Sequence, residues 1–256
     1  MRWLQLALLC GAWAMLCGLD LKSYRPGDHA RELQGRSLEQ WLDEVGGDLP
    51  RHARACSAQQ PGMCFVVGAY HYLRRGDAAT ALDYFERACG YGLGQGCTAS
   101  GAAYAAGEIT ARDAARAAGF YARGCDLQDA ASCAALGRCY AEGDGVGRDE
   151  ERGLRLLTRA CDGGQAAACH NLGIMYAEGR GTLRNPGRGA RRFEQACALG
   201  HGGGCHSLGS AYLKGRGVKQ DLKRAQSYFE QACRHGEERG CQMYRNLSAM
   251  GKLLRP

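Results

Sequence analysis

Twelve of the fifteen cysteines in this 256-residue chain fall into pairs eight positions apart: Cys56/Cys64, Cys89/Cys97, Cys125/Cys133, Cys161/Cys169, Cys197/Cys205 and Cys233/Cys241. Thiols at a fixed spacing can form disulfides, hold a metal ion or carry redox chemistry. From Cys89 onward the first cysteine of each pair recurs every 36 residues. Metal ligands do not normally recur at one period in every unit while histidine accompanies only some of them, so the grouping of Cys197, His201, Cys205 and His206 is read as a coincidence of the repeat. No metal and no cofactor is expected. Cys10, Cys17 and Cys139 stand outside the pairs. Cys139, beside Tyr140, is read as a free thiol and as a small packed hydrophobe rather than a nucleophile.

The other reactive side chains do not converge. A serine nucleophile activated by a lysine one helical turn away needs Ser-x-x-Lys, which is absent, and the approach at Ser248 to Lys252 is one residue too long. His-Glu-x-x-His and His-x-His-x-Asp are absent. The residues therefore identify no active site, and the expected role is binding.

The elements that carry these residues follow from the period. A repeat of 20–50 residues signals a solenoid, in which each unit buries its apolar face only against its neighbours. Four residues after the second cysteine stands glycine, at Gly68, Gly101, Gly137, Gly173 and Gly209, and seven after it tyrosine, at Tyr104, Tyr140, Tyr176 and Tyr212. A recurring glycine inside a helix predicts a close crossing with another helix. Gly107, Gly143, Gly179 and Gly215 predict the end of this first helix, A. A second glycine at Gly145, Gly181 and Gly217 predicts a tight turn. Asp113, Asp149, Asn185 and Asp221 predict the start of helix B, whose inner face carries Tyr121, Leu157, Phe193 and Phe229.

Residues 1–19 form a basic start followed by an apolar run, read as a signal peptide or short membrane anchor. Residues 20–55 are read as a linker and an N-terminal capping helix with Leu38, Trp41, Leu42 and Val45 at helical spacing. Five repeats follow over 56–236, and 237–256 are read as a C-terminal capping helix. The cysteine content and the leader together predict an exported protein, periplasmic or secreted, with N-terminal membrane association possible. The net charge of +7 comes from arginines scattered along the array. Scattered charge suits acidic partners or a solvated surface, and no aromatic-interleaved basic strip points to nucleic acid. The expected state is a monomer.

Cys-x-x-Leu-Gly-x-x-Tyr-x-x-Gly-x-Gly-Val, running from Cys133 to Val146 and from Cys205 to Val218, with Phe-x-x-Ala-Cys at Phe193–Cys197 and Phe229–Cys233, resembles the SEL-like repeat family of the tetratricopeptide superfamily. The paired cysteines resemble its exported cysteine-rich subfamily, typified by the Helicobacter cysteine-rich proteins. The resemblance implies an all-α fold, a right-handed αα-repeat superhelix. It also implies an adaptor role toward protein or peptide partners, with penicillin binding and weak β-lactamase activity as the alternative. Ile109-Thr110 in the second repeat, and Thr182 with Asn185-Pro186 in the fourth, depart from the family pattern in the loops.

In such an antiparallel array the end of helix B lies beside the start of the next helix A, within reach for cysteines eight apart to pair. A rival scheme closes each hairpin on itself, as Cys97 with Cys125, and strands Cys56 and Cys241. The eight-apart scheme leaves none of the twelve over and is preferred. Positions two, five, six and nine after the second cysteine are expected to line the inner groove. They start with Ala99, Ala102, Ala103 and Ala106 and become polar as Ala135, Arg138, Cys139 and Glu142, then Asn171, Ile174, Met175 and Glu178, then Ser207, Ser210, Ala211 and Lys214. The candidate binding residues are Arg138, Glu142, Asn171, Met175, Glu178, Ser207, Ser210 and Lys214.

Overall fold

A computed structural model describes residues 38–253 of the chain. The segment 1–19, all of 20–37, and with them Cys10 and Cys17, lie outside the described residues, as do residues 254–256. Regular structure among the described residues is helical, with one isolated bridge between Ser57 and Gln60. Among the described residues thirteen α-helices follow one another: α1 (Leu38–Gly47), α2 (Leu49–Ala55), α3 (Pro61–Tyr70), α4 (Ala78–Gly90), α5 (Gly94–Ala106), α6 (Ala114–Asp126), α7 (Ala130–Glu142), α8 (Glu150–Asp162), α9 (Ala166–Glu178), α10 (Pro186–Ala198), α11 (Gly202–Lys214), α12 (Leu222–Arg234) and α13 (Glu238–Leu253). A π-helical turn, His71–Arg75, extends α3.

The packing divides the chain into two compact units, the first running to Leu136 and taking in Asp144–Gly147, the second comprising Gly137–Gly143 and the chain from Arg148 onward. The division falls inside α7. In the first unit α1 sets Leu42 and Val45 against Phe65, Val66 and Val67 of α3. The helical pairs α3/α4 and α5/α6 then follow. In the second unit the pairs are α9/α10 and α11/α12, with α8 and α13 packed against α9 and α12. The sequence pattern missed α2, a seven-residue helix that Asp48 caps by accepting from the Arg51 N–H at 3.2 Å.

Local chemistry sets the helix ends. Asp113, Asp149, Asn185 and Asp221 each accept a hydrogen bond from the backbone N–H three residues on, at 2.9, 2.8, 2.9 and 3.0 Å. Each thereby satisfies one otherwise orphaned donor of helix B. Asn185 does this as well as the aspartates, so the departure from the repeat pattern in the fourth unit leaves the helix start intact. Helix A begins three residues before the second cysteine, earlier than the apolar run suggests.

Glycine is required at two kinds of place. A Cβ on Gly173 would sit 2.5 Å from the Phe193 ring, so α9 and α10 cross where a side chain has no room. Gly181 has φ of 66°, and a Cβ there would run into the Glu150 carbonyl at the start of α8. The interior is small and dense: Ala160, Ala196 and Ala232 are fully buried, and Leu157, Phe193 and Phe229, three residues before them on the same helices, are buried too. Each large buried side chain of this kind contributes about 2 kcal/mol through removal from water.

Among the described residues six disulfides join Cys56–Cys64, Cys89–Cys97, Cys125–Cys133, Cys161–Cys169, Cys197–Cys205 and Cys233–Cys241. Their Cα–Cα separations are 4.5–4.6 Å, at the short end of the usual range because both cysteines flank one tight turn. From Cys89 onward the first partner is the penultimate residue of a helix B and the second lies in the first turn or so of the following helix. The bonds therefore stitch one repeat to the next. Six disulfides suit an oxidising compartment. No helix among the described residues is long and apolar enough to cross a membrane.

Candidate functional site

The second unit opens a cleft of about 430 Å³ bounded by the end of α9, the inner face of α10 and α11. Its floor is Ala177, Pro186, Ala190, Phe193 and Ala211, and its walls carry Glu178, Arg184, His206, Ser207, Ser210, Lys214 and Arg216. Four of the eight expected binding residues thus come together: Glu178, Ser207, Ser210 and Lys214. Arg138, Glu142 and Asn171 do not line the cleft; the first two are exposed and Asn171 is half-buried. Met175 is 2% exposed and packs inward, which corrects its expected place in the groove.

The physical reason is that helix A is flanked on two sides. In the second unit the positions two, five and nine after the cysteine form an i, i+3, i+7 stripe that stays open, whereas Met175 at position six turns over the edge into the core. Ala103 is buried at that position as well, and Ala211, whose small side chain is also largely covered, borders the cleft floor. In the first unit Ala99 and Ala102 are buried too, so that stretch of small residues lines no groove. Cys139 is partly buried.

Arg184 and Arg216 were not among the expected residues, and the repeat explains why they matter. Arg180 and Arg216 occupy the same place, eleven after the second cysteine of their repeats. Arg180 Nε donates to Glu150 Oε1 at 3.1 Å and its terminal nitrogen to the Ala141 carbonyl at 2.9 Å. Arg148 and Arg180 together hold the Glu150 carboxyl below the ordinary carboxylate range. Pro186 takes the position of Glu150 in the next repeat, so Arg216 meets no carboxylate there and remains at the cleft. With Lys214 and Arg184, whose Nε donates to the Ala177 carbonyl at 3.1 Å, it gives the cleft three cationic groups against one carboxylate, Glu178.

Three histidines lie beside this wall. The rings of His170 and His201 are 4.9 Å apart, and His170 and His206 pack on Phe193 and Phe229. Gly204 N–H donates to His201 Nδ1 at 3.0 Å, so His201 caps α11. Burial, reinforced by the neighbouring His201 and His206, lowers the His170 pKa to about 4. Burial likewise lowers His201 and His206. His170 Nε2 is 3.1 Å from Ser207 Oγ. An imidazole held near 4 is a poor acceptor of the serine proton at neutral pH, so this contact orders the wall rather than activating a nucleophile. Cys197 and Cys205 are bonded to each other, which removes both thiolates from the grouping with His201 and His206. No cluster of three or more His, Cys, Asp or Glu among the described residues is arranged to hold a metal ion.

The repeating framework now has a match among known families: the Sel1 repeat, over residues 62–90, 91–129, 130–165, 166–201 and 203–237. The chain belongs to the Sel1 repeat family. Each matched segment is one A/B helical pair with its loop. No curated relative matches this Sel1 repeat protein. Among solved structures it is similar to c5321, a protective antigen of uropathogenic Escherichia coli with an SLR fold, at 23% identity and a TM-score of 0.71, over 84% of this chain and 48% of that one. The chain thus spans about half the length of the E. coli protein. It is also similar to a Sel1 repeat protein of Oxalobacter formigenes, at 19% identity and a TM-score of 0.71, over 86% and 91% of the two chains. The Helicobacter pylori cysteine rich protein B matches at 27% identity and a TM-score of 0.43, over 54% of this chain and 98% of that one. Sel1 repeats typically serve as protein-interaction scaffolds.

Proposed function

We propose that this Sel1 repeat protein is an exported interaction scaffold that holds a peptide segment of a partner protein in the cleft of its second unit. The observation that carries the reading is the convergence of Ser207, Ser210, Lys214, Arg184 and Arg216 over the apolar floor of Phe193 and Ala190. Small hydroxyls and cationic groups above an apolar floor suit an extended segment with an acidic residue: the floor takes a side chain, the hydroxyls bond backbone amides, and the cations meet the carboxylate. Export is supported by the six disulfides that stitch the repeats, which need an oxidising compartment to form.

The test is selection of a displayed peptide library on the purified, disulfide-bonded protein. Enriched peptides should carry Asp or Glu and should lose binding to the Lys214→Glu/Arg216→Glu double variant, whose changes are at exposed positions and leave the fold intact. Peptides that bind this variant as tightly as the parent, or a selection that enriches none, would count against the reading.

A further inference from the structure

A second cavity, of about 400 Å³, lies against the other face of α10, lined by Tyr176, Arg188, Arg191, Arg192 and Gln195. At 100° per residue these α10 positions point away from Pro186, Ala190 and Phe193, which floor the cleft. The repeat shows what usually occupies this place. In the first repeat His71 stacks on Tyr84, with ring centroids 5.8 Å apart; in the second Tyr104 stacks on Phe120 at 5.6 Å; in the fifth Tyr212 stacks on Tyr228 at 5.6 Å. Each pair joins the ring seven after the second cysteine to a ring on the second turn of helix B. In the fourth repeat the first partner is Tyr176 and the helix B position is Arg192.

Arg192 does not replace the ring. Its guanidinium is drawn aside to Asp162 Oδ1 at 3.2 Å and Gln195 Oε1 at 3.0 Å. Arg188 lies over the Tyr176 ring, its Cζ 5.8 Å from the centroid, as the equivalent arginine does in three other repeats. Tyr176 has no stacked ring partner among the described residues. Of the three arginines, Asp162 neutralises one, and no carboxylate lines the cavity.

We infer that this cavity binds the C-terminal residue of a peptide when that residue is aromatic. Its ring stacks at Tyr176 where three other repeats stack a ring of their own, and its free carboxylate meets Arg191 and Arg188. A planar ring and a carboxylate on the same Cα match one aromatic surface flanked by guanidinium forks. The volume lies within the range of sites that accept ligands of this size. The site is separate from the cleft and stands or falls independently of it.

Three fluorescein-labelled hexapeptides test it by anisotropy on the intact protein: one ending in Phe with a free carboxylate, the same peptide as its C-terminal amide, and one ending in Ala with a free carboxylate. The first should bind, and the other two should bind at least about tenfold more weakly, the size of losing one charge-assisted contact. Arg192→Phe, which installs the ring that repeats two and five already carry, should abolish binding while leaving the melting temperature at or above the parent value. Lys214→Glu/Arg216→Glu should leave it unchanged. Equal binding of acid and amide, undiminished binding by Arg192→Phe, or no binding of the free acid at millimolar concentration would overturn the inference.

Discussion

The guanidinium of Arg152 sits over the ring of Tyr140, with Cζ 4.3 Å from the centroid, and the same relation joins Arg116 to Tyr104, Arg188 to Tyr176 and Arg224 to Tyr212. Each arginine also supplies the backbone N–H that the Asp or Asn cap accepts. One residue thus locks the start of helix B and ties it to helix A of the same repeat. Arg152→Ala should cost about 1 kcal/mol, the upper value for an exposed cation–π pair, and Arg152→Lys less. Chemical denaturation of the parent and both variants measures this, and equal losses for alanine and lysine would show that the ring contact contributes nothing.

That relation also marks where sequence reading stopped. The period, the buried glycines and the caps were legible because each is a residue type with a narrow use, so recurrence alone exposes it. The arginine recurs at the same 36-residue spacing, yet it hides in a chain with 33 Lys and Arg. Its role requires seeing the tyrosine across the helical pair. Met175 was misplaced for a related reason: an apolar residue one step from the open stripe belongs to groove or core according to how closely the flanking helices approach, which spacing does not encode. Arg216 became a cleft residue only because Pro186 stands where the preceding repeat has Glu150, a difference between two repeats rather than a property of either.

The disulfides should act locally. For a loop of about nine residues the chain-entropy relation gives a ceiling of roughly 2.6 kcal/mol per bond. Because a repeat array is coupled only to its nearest neighbours, Cys161→Ser/Cys169→Ser should raise amide exchange chiefly in α8 and α9. Exchange in α4 and α5, in the other unit, should stay at the parent level. Hydrogen exchange by mass spectrometry reads both regions, and uniform acceleration along the chain would mean that the bond supports a single global unfolding unit.

Gly181 combines a left-handed backbone, φ 66°, with close approach to the Glu150 carbonyl. Gly181→Ala must therefore both strain its own backbone and push the loop off the start of α8, loosening the Arg180–Glu150 pair. A loss of more than about 2 kcal/mol is expected, above the strain of the left-handed conformation alone. Gly164→Ala is the comparison: it too has positive φ, 85°, but a Cβ there meets no atom within 4 Å. Thermal melts of the two variants should separate strain from collision, with Gly181→Ala the less stable; equal losses would leave the collision without effect.

Acid should unlock the second unit through its histidines. His170 is held at about 4 by burial and by His201 and His206, against an ordinary value of 6.5, so the unfolded chain takes up its proton first as pH falls. Stability contributed by keeping the ring neutral is complete above about pH 6.5, declines between 6.5 and 4, and levels off below. The difference corresponds to about 3 kcal/mol at most for His170. His201 shifts in the same direction, and its protonation would also remove the acceptor for the Gly204 N–H that caps α11. His170→Phe, which keeps a flat ring against Phe193 without a titrating nitrogen, should flatten the fall in melting temperature between pH 6.5 and 4. His201→Asn should retain a cap that does not titrate and flatten it further. If the parent and both variants lost stability in parallel over this range, the histidines would not be the acid-sensitive element.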